Sequence, residues 1–524
     1  MKKLHLKHKL AAVLVLLIVA LASCSKASST TGSNMMEARK ISVASEIERS
    51  ILGLSKAKQS EIVELKDKQI LKMEAKAVVK EINGKEIRMY AYNGQIPGPL
   101  IKAKQGSAIY INFTNNIGLE TAIHWHGIRL ENKYDGVSGV TQNPIQAGES
   151  FLYKLDFPDE GIYWYHPHIR EDLQQELGLY GNILVEPKDE NYFNKVDKEV
   201  ALFLDDIRME GNDIAGFDAN HATFTFMGRF GNVMLVNGQT DYKLNVKKNE
   251  AVRFYLTDSA NTRTFNFLID KHKLKLIGSD SGKFEKESFA DSVIISPGER
   301  YIIEVLFDKV GMYKILHKTD SGVYTLGIID VSGSVSDANL EFLKLKGNEN
   351  LIKEISPFKE YASKDPDYEF ELTIDQNVMK GMRPGMMDSQ ETIEWEENGH
   401  MAVMNSMSDD QNVKWIIRDM KTNRKNEEIN YSVKLGDVKK IRLYNNPNSM
   451  HPMQHPIHLH GQRFLVLSED KKINENLAWK DTVLVPAGKT VDILVQFANP
   501  GEWMMHCHIA EHLEAGMMMK FKVS

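Results

Sequence analysis

A chain of 524 residues is longer than one hydrophobic core serves, so two to four domains are expected. Hydrophobic residues at 42% and charged residues at 26% are ordinary for a soluble globular protein. The net charge of -6 argues against the basic face that a nucleic-acid partner requires.

At the N-terminus, Lys2, Lys3, Lys7 and Lys9 precede an apolar run from Leu10 to Ala22 that is too short to span a bilayer. The run ends in Leu21-Ala22-Ser23-Cys24, which resembles the bacterial lipobox. That resemblance implies a signal peptide over 1–23, lipidation of Cys24 and an extracytoplasmic protein anchored to a membrane. Removing 1–23 deletes four lysines and leaves a charge of about -10. With Cys24 lipidated, Cys507 has no partner for an intrachain disulfide, and metal is the natural occupant of a lone thiol in an oxidising compartment.

Residues 24–67 read as a tether (SKASSTTGSN) followed by a short amphipathic helix, with Ile47, Ile51 and Leu54 at helical spacing. From about residue 68, β-branched runs separated by Gly, Pro and Asn predict β-sandwiches. An internal repeat gives their number. One block recurs at 100–116, 244–260 and 431–447, each time two strands across a tight turn. A second block repeats a pair of glycines at constant spacing: Gly148 and Gly161, Gly298 and Gly311, Gly488 and Gly501. Three such copies imply three domains of similar topology, joined by charged, helix-prone linkers. Five and seven residues past the second glycine stand His166 and His168, then Leu316 and Lys318, then His506 and His508. The outer copies thus carry candidate ligands and the middle copy does not.

Four clusters hold ten of the seventeen histidines: HWHG at 124–127, HPH at 166–168, HPIHLHG at 455–461 and HCHIAEH at 506–512. Residues i and i+2 of a strand share a face, so each H-x-H offers two imidazoles to one side. Four pairs, two from each outer domain, can converge as eight imidazoles in the cleft between those domains. Imidazole suits copper, zinc or iron; Cys507 narrows the choice. With His455, His512 and Met517 it supplies the donor set of a blue-copper electron-transfer centre. Alternation turns Cys507 to one side of its strand and His506 and His508 to the other, which wires such a centre to the histidine cluster.

In order and spacing these clusters resemble those of the multicopper oxidases of the three-domain laccase type. YNGQIPGP at 92–99 matches the family's first-domain opening, and the resemblance runs from about residue 70 to the end. It implies an all-β fold of three cupredoxin-like Greek-key β-sandwich domains, over 68–190, 191–345 and 346–524, the second a spacer without copper ligands. It also implies four copper ions: type 1 on His455, Cys507, His512 and Met517, and type 2 on His124 and His458. Of the type 3 pair, one would be held by His126, His166 and His508, the other by His168, His460 and His506. Asp135 and Glu511 match family positions and would manage protons for oxygen reduction. The implied activity couples one-electron oxidation of a reductant to four-electron reduction of dioxygen to water.

Methionines mark the reductant. Met379, Met382, Met386, Met387, Met401, Met404 and Met407 lie in an insertion over 379–407, with His400 at the start of its second run. Thioethers are soft ligands that prefer Cu(I), and cuprous oxidases of the family bear such an insertion near the type 1 site. Met453, two residues before His455, also matches them; His451 stands where they carry an acid, as a copper ligand or a solvent-facing histidine. Cu(I) is therefore the favoured reductant, followed by Fe(II) and phenols, in a role of envelope copper tolerance. The alternatives are a general laccase, a copper-sequestering lipoprotein with incidental oxidase activity, and a copper-poor structural member.

Overall fold

The computed structural model describes residues 48–217, 221–334, 339–375, 392–397 and 413–524. Strand alternation builds the core. Over Ala108–Asn116, for example, Ile109, Ile111 and Phe113 are buried while the intervening residues are not. Each such side chain contributes about 1.5–3 kcal/mol by leaving water.

The strands form three two-sheet sandwiches. In the first, a sheet ordered Ile62–Glu64, Leu100–Lys104, Gly181–Glu186, Gly161–Pro167, Ile123–His126 accompanies a four-stranded sheet centred on Ile70–Ile82 and Ala108–Asn116. The middle sandwich has sheets of six and five strands, and the last has sheets of seven and five. The sequence repeat is a repeat of pairing. In each sandwich the strand that opens on the second glycine (Gly161–Pro167, Gly311–Lys318, Gly501–Cys507) pairs antiparallel with the strand that follows it. That following strand pairs parallel with Leu100–Lys104, Tyr242–Lys248 or Asn430–Val433. The fold is all-β and cupredoxin-like, as the motifs imply. Between the second and third sandwiches the charged linker forms the helix Glu349–Ile355 and a 3-10 segment, Ser356–Ser363.

One expectation fails. Among the described residues, 48–66 contain no helix; Ile62–Glu64 is a strand pairing parallel with Leu100–Lys102. Three apolar residues at helical spacing cannot repay helix nucleation on their own, whereas an open sheet edge supplies hydrogen-bond partners. Ile47, Cys24 and the leader lie outside the described residues.

The site lies where the first and last sandwiches meet. The HWH strand Ile123–His126 pairs antiparallel with Gly161–Pro167, placing His124 opposite His166. In the last sandwich His455–Leu459 pairs with Gly501–Cys507, placing His458 opposite His506. The two hairpin-like pairs present the same His-against-His arrangement to each other.

Candidate metal centre

Eight imidazoles from the two sandwiches interleave. His126 stacks on His458 at 3.7 Å between ring centroids, and His124 lies 4.0 Å from His460. His168 meets His460 at 5.0 Å and His506 at 5.3 Å, while His508 meets His126 at 5.0 Å and His166 at 5.2 Å. All eight are buried. The nitrogens of His168, His460 and His506 converge within metal-ligand reach, as do those of His124, His458 and His460, and of His124, His126 and His166.

The rings are anchored from behind. His124 Nδ1 lies 2.8 Å from the Asp135 carbonyl, His166 Nδ1 2.9 Å from that of Pro167, and His506 Nδ1 2.8 Å from that of Cys507. A carbonyl only accepts, so each Nδ1 carries the hydrogen and each Nε2 keeps its lone pair. His124 Nε2, His166 Nε2, His168 Nε2 and His458 Nε2 have no protein partner, and His460 and His506 bring their Nε2 atoms 2.9 Å apart. Burial depresses the pKa of the imidazoles of His166, His168, His460, His506 and His508 well below the usual value. Neutral rings with inward lone pairs are what a metal cluster requires, and these donors fit copper.

Carboxylates surround the cluster. Asp135 Oδ2 is 2.9 Å from His460 Nδ1. Asp135 caps the short 3-10 turn Asn132–Tyr134, so the turn role and the ligand-orienting role coincide. Gly136 permits this: it has φ +84°, and a Cβ there would lie 1.8 Å from the Ile123 carbonyl. Glu511, on the short helix Ala510–Glu514, is buried and accepts from Thr262 Oγ1 at 3.1 Å. Burial, reinforced by Asp172, pushes its carboxyl up to about 8. Glu171 was not anticipated from the sequence. It lies three residues past His168, 3.3 Å from that ring's Nδ1, fully buried with neither carboxylate oxygen hydrogen-bonded. Burial raises its pKa well above the usual carboxylate range. The only hint was its spacing, since i and i+3 meet on the turn Glu171–Gln174 and its lead-in.

On the opposite face of the last strand, Cys507 Sγ lies 3.5 Å from His455 Nδ1 and 3.7 Å from His512 Nδ1, and those nitrogens are 3.3 Å apart. Met517 is buried in the same core cluster. Burial pushes the Cys507 thiol up and holds the His455 imidazole down at about 3. Trp415 covers the group, its ring 4.1 Å from His512 and 4.9 Å from His455, its Nε1 donating to the Thr225 carbonyl. Nearby, His451 is buried, not solvent-facing, with neither ring nitrogen hydrogen-bonded and Nε2 3.9 Å from Glu394 Oε2. Met453 is buried in the same core. Met379, Met382, Met386, Met387, His400, Met401, Met404 and Met407 lie outside the described residues.

The middle sandwich does more than separate the other two. Its Asn261 and Thr262 hold Glu511, and its Arg300 reaches Asp481 behind the histidines.

A cupredoxin-like fold with a thiolate–imidazole site wired to an eight-histidine cluster defines a copper oxidase. Sequence profiles described as "Multicopper oxidase" match residues 74–190, 198–334 and 377–524, and the chain belongs to the multicopper oxidase family, whose members are oxidoreductases. It is 28% identical over 444 residues to the multicopper oxidase Mco of Staphylococcus epidermidis, covering 83% of each chain. It is 27% identical to a laccase of Arthroderma benhamiae, over 82% of this chain and 73% of that one. Among solved structures it is similar to the multicopper oxidase from Campylobacter jejuni, described as a metallo-oxidase. The TM-score is 0.67 and the identity 26%, over 91% of this chain and 99% of that one.

Proposed function

We propose that this oxidase uses Cu(I) as its principal reductant and dioxygen as its acceptor, outside the cytoplasm, tied to a bacterial membrane by lipid on Cys24. The observation that carries the redox part is Cys507, with two imidazoles within 3.7 Å of its sulfur and its chain neighbours His506 and His508 in the eight-histidine cluster. The residues would hold four coppers: type 1 on His455, Cys507, His512 and Met517, type 2 on His124 and His458, and the type 3 pair on the other six. Bound there, copper supplies one-electron redox chemistry and the reduction of dioxygen to water.

The chain's own groups do the rest. His455 and His512, packed beneath Trp415, would hold the electron-accepting copper, and the Cys507 side chain and backbone would connect it to His506 and His508. Asp135 holds His460 and His124 in place through their Nδ1 atoms. Glu511, pushed up to about 8 by burial, and Glu171, raised by burial well above the usual carboxylate range, are the carboxyls that would hold protons for the reaction.

Glu394 supports Cu(I) as the donor. In sequence it lies between the two methionine runs, and its backbone is clamped by Gln454, the residue before His455, at 2.8 and 2.9 Å. His451 and Met453, both buried in the described part of the last sandwich, are further candidate donors beside His455. Phenols, the substrates of a general laccase, are disfavoured because both type 1 imidazoles are fully buried and offer a phenol ring no direct contact.

The test is kcat/KM for Cu(I), Fe(II) and a dimethoxyphenol with free copper controlled, in the full chain and in one lacking 379–407. The deletion should lower Cu(I) oxidation more than phenol oxidation; equal losses would make the segment structural. Cys507→Ser should abolish colour and turnover. Copper binding without copper-dependent oxygen uptake would favour the sequestering lipoprotein instead.

A further inference from the structure

Arg300 opens the strand Arg300–Leu306 of the middle sandwich, two residues past Gly298; the outer copies of the repeat have Ser150 and Thr490 there. Its guanidinium is fully buried and forks onto Asp481 of the last sandwich, Nη1 to Oδ1 at 2.6 Å and Nη2 to Oδ2 at 2.5 Å. Its Nε donates to the Ile162 carbonyl of the first sandwich at 2.9 Å. One side chain of the middle sandwich thus holds both outer ones. Gly298 completes the approach: with φ +85°, a Cβ there would lie 2.8 Å from His508 Cδ2 and 3.1 Å from His126 Cε1.

Asp481 Oδ1 lies 3.0 Å from His126 Nε2, and the Asp481 carbonyl lies 2.9 Å from His458 Nδ1. Thr482 Oγ1 sits beside both rings, at 2.9 and 3.1 Å. A carboxylate gripped by a guanidinium fork presents lone pairs only. His126 must therefore donate through Nε2, which leaves Nδ1 bare, and that atom has no protein partner. This is the reverse of His124, His166 and His506, whose Nδ1 atoms are anchored. The two stacked rings, one from each outer sandwich, take their orientation from one aspartate.

We propose that Arg300 is a positioning residue for the histidine cluster: it fixes Asp481, and through it the tautomer and direction of His126 and His458. The middle sandwich, without ligands of its own among the described residues, thereby preorganises the ligands of the other two. The inference rests on the copper reading above. The competing role is plain ion pairing, since Asp481 also belongs to a buried network with Asp280, Lys480 and Glu299.

The experiment compares the wild-type chain with Arg300→Met, Arg300→Lys and the neutral pair Arg300→Met/Asp481→Asn. Copper per chain, the visible thiolate band of the type 1 site, type 2 EPR hyperfine splitting and the melting temperature of the copper-free chain are measured. Arg300→Met should keep the thiolate band, lose about 10–100-fold in copper affinity at the cluster, and change the type 2 splitting. Arg300→Lys keeps the charge but not the fork, and should show the same spectral change with a smaller loss of copper. The neutral pair leaves no buried charge unpaired, so it should recover the copper-free melting temperature while its type 2 signal stays altered. Full copper and unchanged splitting in both single variants would overturn the proposal. So would a neutral pair that restores the signal together with the melting temperature. Should Arg300→Met not fold, Arg300→Lys and the neutral pair still decide. A wild-type chain that takes up no copper would remove the copper reading itself.

Discussion

Glu171 reaches His168 from the turn Glu171–Gln174, Glu511 sits on the short helix Ala510–Glu514 packed against that turn, and neither is solvated. A carboxyl whose pKa stands near 8 is mostly protonated at neutral pH and can give up its proton as charge develops beside it. Glu511→Gln keeps the shape and the bonds to Thr262 and Asn261 but cannot release a proton. Turnover should fall about 100-fold or more, with copper content and the thiolate band unchanged. Steady-state oxygen uptake from pH 5 to 9 checks this, and a variant with wild-type rates would assign Glu511 a structural role. Glu511 was visible in the sequence as a match to a family position within the last histidine cluster. Glu171 was not, because only the turn after HPH brings it back to His168.

At the scale of elements, alternation does most of the positioning. Trp503, Met505 and Cys507 share the face turned to the core of the last sandwich, and Met504 turns the other way to meet Val137 of the first. The turn after the HWH strand is equally constrained, since Gly136 alone lets Asp135 reach His124 and His460. Gly136→Ala would set a methyl against the Ile123 carbonyl and strain a left-handed backbone. A loss of about 1–3 kcal/mol or more is expected in chemical denaturation, together with reduced copper at the cluster. An Ala variant with wild-type stability and copper would show that the turn relaxes freely. The methionine insertion was legible only as composition; the structure adds that Glu394, in sequence between its two runs, is clamped by Gln454, the residue before His455.

For the whole molecule, burying so many imidazoles has a thermodynamic signature. His455 and His451 are depressed to about 3 and about 4, and the cluster histidines are depressed as well. Below about pH 6.5 the unfolded chain binds protons on these rings that the folded chain refuses. Their contribution to stability is present above about 6.5 and lost as pH falls towards the folded values. Glu511 acts in the opposite sense: its contribution is present below about 4.5 and lost as pH rises through about 8. The depressed imidazoles outnumber the raised carboxyls Glu171, Glu176, Asp205, Asp258 and Glu511. The melting temperature of the copper-free chain should therefore fall between pH 6 and pH 4, measured by differential scanning fluorimetry. A flat or rising profile would contradict the neutral, buried cluster. By itself the sequence determined the number of sandwiches, through the repeat, and the side of the strand each candidate donor residue takes. The repeat is read directly along the chain, and the side follows from period-two alternation, which acts over a few residues. Only the tertiary structure decided what stands behind the donors: Arg300 on Asp481, Glu171 at His168, Trp415 over His512. Those contacts join residues far apart in the chain or around a turn, and docking of the sandwiches, not local pattern, selects them.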